Sequence, residues 1–253
     1  MAEDFATRLR SRERLVGYWI TLDSPPATER IAAAGYDYVC LDLQHGLLDY
    51  RGALAGVMAA ELGGASGVVR VPVNEAMWIG KALDAGARAV IVPLVDTAAD
   101  AERAARACRY PPTGTRSYGP TRSSLRIGPA PREADAQVAC VVMIETSTGL
   151  ANAAEICAVP GVDAVYVGPS DLSIAVGGDT PQHGWQLPEF AEALARIRSA
   201  ARSAGVACGL HVTDGTRAAR AFADGFDFVS ISNDITHLAA HAGAELTKAR
   251  AED

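Results

Sequence analysis

The stretch VACVVMIETSTGLANAAEICAVPGVDAVYVGPSD, residues 138–171, decides the fold. Its first apolar run, residues 138–144, stops at the carboxylate of Glu145. A second run, Ala164–Val167, opens into Gly168-Pro169-Ser170-Asp171. Helical sequence lies between them and closes on Pro160-Gly161-Val162-Asp163, where glycine supplies a left-handed helix stop and the next apolar run begins at once. The order is strand, helix, strand. An ionised group at the edge of a core needs a partner. Two carboxylates, Glu145 and Asp171, at the ends of consecutive strands therefore mark a site for a hard divalent cation.

Outward from this unit the same pattern recurs. Strands are expected at residues 15–22, 38–43, 67–71, 89–95, 138–144, 164–167, 206–210 and 226–231, with amphipathic helical sequence in the gaps. Ala34-Gly35-Tyr36-Asp37, Ala85-Gly86-Ala87-Arg88 and Asp224-Gly225-Phe226-Asp227 repeat the helix-to-strand return. Parallel pairing needs helical crossovers, and eight such units in 253 residues have the size of a (β/α)8 TIM barrel. The expected fold is thus α/β, one barrel domain over residues 1–253. A doubly wound open sheet is the runner-up, weakened because no G-x-G-x-x-G follows the first strand. Residues 111–132, rich in Pro, Gly, Ser and Arg, read as one long surface loop of the kind that is functional or disordered.

Composition narrows the class. With 49% hydrophobic and 21% charged residues the chain reads as a soluble globular protein. No apolar run approaches the roughly 20 residues of a membrane helix, and residues 1–14 do not resemble a secretory signal. A net charge of -7 argues against nucleic acid or an anionic membrane as partner. The five cysteines have no CxxC spacing, which fits a reduced, cytoplasmic setting.

Active sites of such barrels collect at the strand C-termini. Those ends carry Asp42, Gln44 and His45, then Arg70, Glu145, Gly168 to Asp171, His211, and Ser230 with Ser232. Several motifs in this order, Asp42-Leu43-Gln44-His45-Gly46, Val69-Arg70-Val71-Pro72, Ile91-Val92-Pro93-Leu94-Val95-Asp96-Thr97, Arg109-Tyr110-Pro111-Pro112, Ile144-Glu145-Thr146 and Val167-Gly168-Pro169-Ser170-Asp171-Leu172, resemble the HpcH/HpaI aldolases over nearly the whole chain. These are class II pyruvate aldolases such as the 4-hydroxy-2-oxoheptanedioate and 2-dehydro-3-deoxy-sugar-acid enzymes.

The resemblance implies a barrel of the phosphoenolpyruvate/pyruvate type, with a C-terminal helix that can be swapped between subunits. It implies a homo-oligomer, hexamer or trimer. Glu145 and Asp171 match metal ligands for Mg²⁺, Mn²⁺ or Co²⁺, with no organic cofactor. Arg70 matches the residue that binds the keto oxygen, His45 the acid/base, and Asp84 its orienting partner. Gly168, Pro169 and Ser170 match the seat of the pyruvate carboxylate. The chain departs from the pattern at three points. Gln44, counted here with the substrate-binding residues, stands where many members have Glu; Arg116-Ser117 replaces Arg-Gly; His211 falls where several members place an apolar residue near the aldehyde.

The chemistry stands without the resemblance. A 2-oxoacid chelates a divalent cation, which acts as Lewis acid while an enolate forms. A permanent cation at Arg70 stabilises the same oxyanion. A Schiff-base route needs a lysine in the site, and of the only lysines Lys81 falls mid-helix and Lys248 near the C-terminus. The expected function is reversible cleavage of 4-hydroxy-2-oxoacids into a pyruvate-type enolate and an aldehyde, with oxaloacetate decarboxylation as side activity. The rivals are a CoA-thioester lyase of the citrate-lyase beta type and a non-catalytic oxoacid-binding barrel.

Plainer readings accompany several residues. Glu145 and Asp171 also fit rim ion pairs, and Asp84, on the third helix, also fits a helix-end charge. Asp234, His237 and His241 mimic a metal face but lack the H-E-x-x-H glutamate. His183 and Trp185 suit a lid or simple packing. Arg116, Arg122 and Arg126 suit anion attraction or pairing with surplus acids.

Overall fold

The computed structural model describes residues 4–251. Eight parallel strands close a barrel in sequence order. They are β1 Leu15–Ile20, β2 Tyr38–Asp42, β3 Ser66–Arg70, β4 Ala89–Val92, β5 Ala139–Ile144, β6 Ala164–Val167, β7 Ala207–Val212 and β8 Phe228–Asn233. β1 pairs with β8 to complete the closure, with a register shift beside Trp19. Helices occupy every crossover, as the alternating pattern leads one to expect. Gly35, Gly86, Gly161 and Gly225, the four repeated helix stops, all have φ between 91° and 101°.

Side chains alternate between two cores because successive strand residues face opposite ways. The outward set packs against the helices, with Val39, Leu41, Val90, Val142 and Val165 fully buried there. The inward set fills the barrel with Leu15, Tyr38, Val68, Ile91, Val141, Tyr166 and Phe228. Three large rings fit inside because glycine stands beside them. A Cβ on Gly17 would lie 2.2 Å from the Tyr38 ring, and one on Gly209 would lie 2.4 Å from Phe228.

The helix Phe5–Arg10 plugs the rim where the strands begin: Phe5, Ala6 and Leu9 join the inner core. Arginines on and just after this helix clamp that rim. Arg8 donates to Asp37 at 2.9 Å, Arg10 to Asp163 at 2.7 Å, and Arg12 to Asp227 at 3.3 Å. Each aspartate also accepts a strand N–H, from Val16, Cys140 and Cys208 respectively. These are the aspartates of the Gly-x-Asp returns. They satisfy strand N–H groups that open onto the rim and would otherwise lack a partner.

Strand ends shift for local reasons. β4 stops at Val92, not residue 95, because Pro93 has no N–H for the ladder and Leu94 turns to φ 54°. β1 stops at Ile20 because Asp234 takes the N–H groups of Thr21 and Leu22. The segment 111–132 lies on the rim where the strands begin, away from the strand C-termini. There Arg116 donates to Asp84 at 2.7 Å, while Arg122 bonds Glu61 and the Ala85 carbonyl. Of the two readings of these arginines, pairing with acids is the one the structure contains. No described helix is long and apolar enough to cross a membrane. The C-terminal helix, Asp234–Arg250, buries only Asp234 and exposes Ile235, Leu238 and Leu246.

Candidate active site

The inward parity of the strands continues past the last apolar layer. Trp19 on β1, Asp42 on β2, Arg70 on β3, Glu145 after β5, Gly168 after β6 and His211 on β7 are the next inward positions. They line a cavity of about 230 Å³ together with His45, Pro169, Ser170 and Asp171. Strand register thus gathers eight of the ten expected site residues at one mouth.

Arg70 and Asp42 form its fixed floor. Register places Asp42 opposite Arg70. Arg70 Nε donates to Asp42 Oδ1 at 2.8 Å, and Nη2 reaches Oδ2. Trp19 Nε1 donates to the same carboxylate at 3.1 Å, and the guanidinium lies 5.1 Å from the Trp19 ring centre. Burial alone would raise the Asp42 carboxyl, but the Arg70 hydrogen bond and charge hold it below its ordinary value. Asp42 Oδ1 also accepts the N–H groups of Gln44 and His45 at 3.0 and 3.2 Å, which shapes the turn that presents His45. Asp42 is therefore the organising residue of this wall. It was visible in the sequence as a strand end, but its partner lies 28 positions away. Trp19 was hidden inside an apolar run.

Glu145 is buried, and its Oε1 accepts the Leu94 N–H at 2.8 Å. Burial pushes its carboxyl up to about 7; the Leu94 bond opposes this, and the Asp171 charge adds to it. Gly168 passes so close that a Cβ there would lie 2.2 Å from Glu145 Oε2. Asp171 sits exposed in the first turn of the helix Pro169–Ala175. Two carboxylates face each other here with no lysine lining the cavity and Arg70 already committed to Asp42. Like charges so placed favour either a shared proton or a cation between them.

His211 is neutral: burial, then the Arg70 charge, push it down to about 4. Its ring meets Trp19 edge-on at 5.3 Å. Two expected residues lie elsewhere. Gln44 does not line the cavity, and its side-chain oxygen is buried without a partner. Asp84 ends the helix Ala76–Asp84, on the rim where β4 begins, and is bonded to Arg116. Within one chain it is at the opposite end of the barrel from His45, so any pairing of the two has to be made between copies.

The remaining alternatives resolve locally. His237 is hydrogen-bonded to Tyr18 at 2.8 Å and Asp234 holds β1, so the last helix presents no metal face. Among the described residues no group of three or more His, Cys, Asp or Glu side chains could hold an ion. Lys81 lies over the Tyr50 ring and Lys248 pairs with Glu245, both away from the cavity.

Comparison with known proteins agrees with this geometry. Residues 15–242 match the family model described as HpcH/HpaI aldolase/citrate lyase. The chain is 39% identical over 241 residues, 95% of each protein, to a hydroxypyruvate/pyruvate aldolase of Rhizorhabdus wittichii. It is 38% identical over 138 residues, 53% of each, to a 4-hydroxy-2-oxovalerate aldolase of Rhodococcus jostii. A crystal structure of a Burkholderia cenocepacia family protein superposes with a TM-score of 0.87 at 34% identity, covering 97% of this chain and 98% of that one. Barrel, strand-end motifs and full-length similarity coincide, and the chain belongs to the HpcH/HpaI aldolase/citrate lyase family.

Proposed function

We propose that this protein is a carbon–carbon lyase that reversibly cleaves 4-hydroxy-2-oxoacids into an aldehyde and the enolate of pyruvate or a close analogue. One observation carries the reading: Glu145, Asp171, Arg70 and His45 converge on a single cavity of about 230 Å³. A scaffold gains nothing from that set.

The residues fit a divalent metal. Glu145 is held by one backbone N–H and faces Asp171, and burial together with the Asp171 charge raises its proton affinity. Two protein carboxylates leave the other positions to substrate oxygens and water, as suits Mg²⁺, Mn²⁺ or Co²⁺. When bound, the ion supplies Lewis-acid stabilisation of developing negative charge.

The chain's own groups do the rest. Asp42 engages Nε and Nη2 of Arg70, which leaves Nη1 for the keto oxygen. Because that fork is locked before substrate arrives, its stabilisation of the oxyanion costs little reorganisation. Ser170 and the free N–H groups of the turn after Gly168 receive the carboxylate. His45 takes the proton of the 4-hydroxyl as the carbon–carbon bond breaks, a transfer typically worth about 100- to 10,000-fold. The same enolate chemistry supports oxaloacetate decarboxylation as a side activity.

The exposed apolar residues of the C-terminal helix support a homo-oligomer assembled through it, and the five buried thiols suit a reducing, cytoplasmic setting. The test is pyruvate release from 4-hydroxy-2-oxopentanoate by protein loaded with each metal in turn, followed with a coupled lactate dehydrogenase. Metal-dependent release is expected. No release with any of the three metals would overturn the reading.

A further inference from the structure

Glu145 is held from the segment that follows β4. Leu94 in that segment has φ 54° and sends its N–H to Glu145 Oε1 at 2.8 Å. An L-residue with a side chain enters the left-handed region at a cost, and stays there only where its surroundings impose it. The Leu94 side chain is 53% exposed, so packing within the chain does not impose the turn.

The restraint comes from further along the segment. Thr146 Oγ1 donates to Asp96 Oδ1, and Asn152 Nδ2 donates to the Asp96 carbonyl at 2.7 Å. The Val95 N–H reaches the Met143 carbonyl at 3.2 Å. Gly149 makes room for this docking, since a Cβ there would lie 2.8 Å from the Val95 carbonyl oxygen. Its N–H donates to Thr146 Oγ1 at 2.9 Å. One hydroxyl thus caps the helix Ser147–Ala151 and grips the segment as well.

Thr146 directly follows Glu145 in the chain. The contacts therefore close a small ring, from Glu145 through Thr146, Asp96, Val95 and Leu94 back to the Glu145 carboxylate. Opening the ring at Thr146–Asp96 would free the strained turn and release the Leu94 N–H from Glu145. Neither Asp96 nor Thr146 lines the cavity. The Leu94 N–H is the link by which Asp96 reaches the site.

We propose that Asp96 and Thr146 are positioning residues: their hydrogen bond holds Leu94 in its left-handed turn, so that its N–H fixes Glu145 for a divalent ion. The inference rests on the metal reading of Glu145 and Asp171 given above.

The test is Mn²⁺ affinity by calorimetric titration, measured beside urea denaturation of the metal-free protein. Asp96→Ala and Thr146→Val are each expected to weaken Mn²⁺ binding by about 10- to 100-fold. Asp96→Asn keeps an acceptor oxygen and Thr146→Ser keeps the hydroxyl, so both should stay within about threefold of the wild type. Glycine adopts a positive φ without the cost that leucine meets, so adding Leu94→Gly to Asp96→Ala should recover affinity by about threefold or more. Asp214→Ala removes the N-cap of a different helix, Gly215–Asp224, and supplies the stability control. Its urea midpoint should fall while its Mn²⁺ affinity stays unchanged. Wild-type affinity in Asp96→Ala, an equal loss in Asp214→Ala, or no recovery on adding Leu94→Gly would each overturn the proposal. A wild-type protein that binds no Mn²⁺ would bring down the metal reading itself, and this proposal with it.

Discussion

Gly168 lies against Glu145 so closely that a single added carbon would fall 2.2 Å from Oε2. Its φ is -85°, so the glycine is there for space and not for conformation. Gly168→Ala is expected to push the carboxylate aside and weaken divalent-metal binding more than tenfold. The stability cost of such overpacking is about 1–3 kcal/mol, which a folded barrel tolerates. Gly80→Ala, which meets nothing within 4 Å, is the control and should leave metal affinity unchanged. Calorimetric titration of Mn²⁺ into both variants reads the difference.

Metal binding should release a proton from Glu145. With its carboxyl raised to about 7, the metal-free protein carries that proton at pH 6 and has lost it at pH 8. Binding then frees about 0.9 proton at pH 6 and about 0.1 at pH 8, and affinity rises about tenfold between them. Titrations in buffers of differing ionisation enthalpy measure the proton count. A count that does not change with pH would contradict the raised carboxyl.

Asp42 and Arg70 are both buried and bonded to each other. Asp42→Ala leaves the arginine without its counter-charge, an uncompensated burial that costs about 3–5 kcal/mol. Urea denaturation should show this loss, and the double variant Asp42→Ala/Arg70→Met should recover part of it. Additive losses would mean that the pair does not hold this wall together.

His211 sets an acid limit. Its folded pKa, about 4, is below the ordinary 6.5, so the unfolded chain takes up the proton first as pH falls. Stability is therefore present above pH 6.5 and declines between 6.5 and 4, at up to about 1.4 kcal/mol per pH unit. His211→Leu should remove this component. Urea midpoints measured for both proteins across that window give the comparison, and parallel curves would contradict it.

Much of this architecture could be read from the chain because one physical signal repeats. Apolar runs and glycine stops placed all eight strands, and inward parity then carries Arg70, Glu145 and Gly168 to one mouth. The missing parts depend on pairings that sequence spacing does not display. Asp42 meets Arg70 only through the β2–β3 register. Trp19 looks like core until its ring nitrogen finds Asp42. Leu94 matters through its backbone, turned to φ 54° to reach Glu145. The helix Phe5–Arg10 is short and charged, and its burial becomes evident only once the barrel mouth it plugs exists. Asp84 shows the converse: its place late in a helix already put it on the far rim, away from His45.

The central claim is that Glu145 and Asp171 hold a metal where a pyruvate enolate forms. Deuterium exchange into the pyruvate methyl group, followed by NMR with and without EDTA, tests it most directly. Exchange is expected with Mg²⁺ or Mn²⁺. It should disappear with EDTA and in Glu145→Ala and Asp171→Ala, and persist in Lys81→Ala. Exchange that survives EDTA and both carboxylate variants, or that is lost in Lys81→Ala, would contradict it.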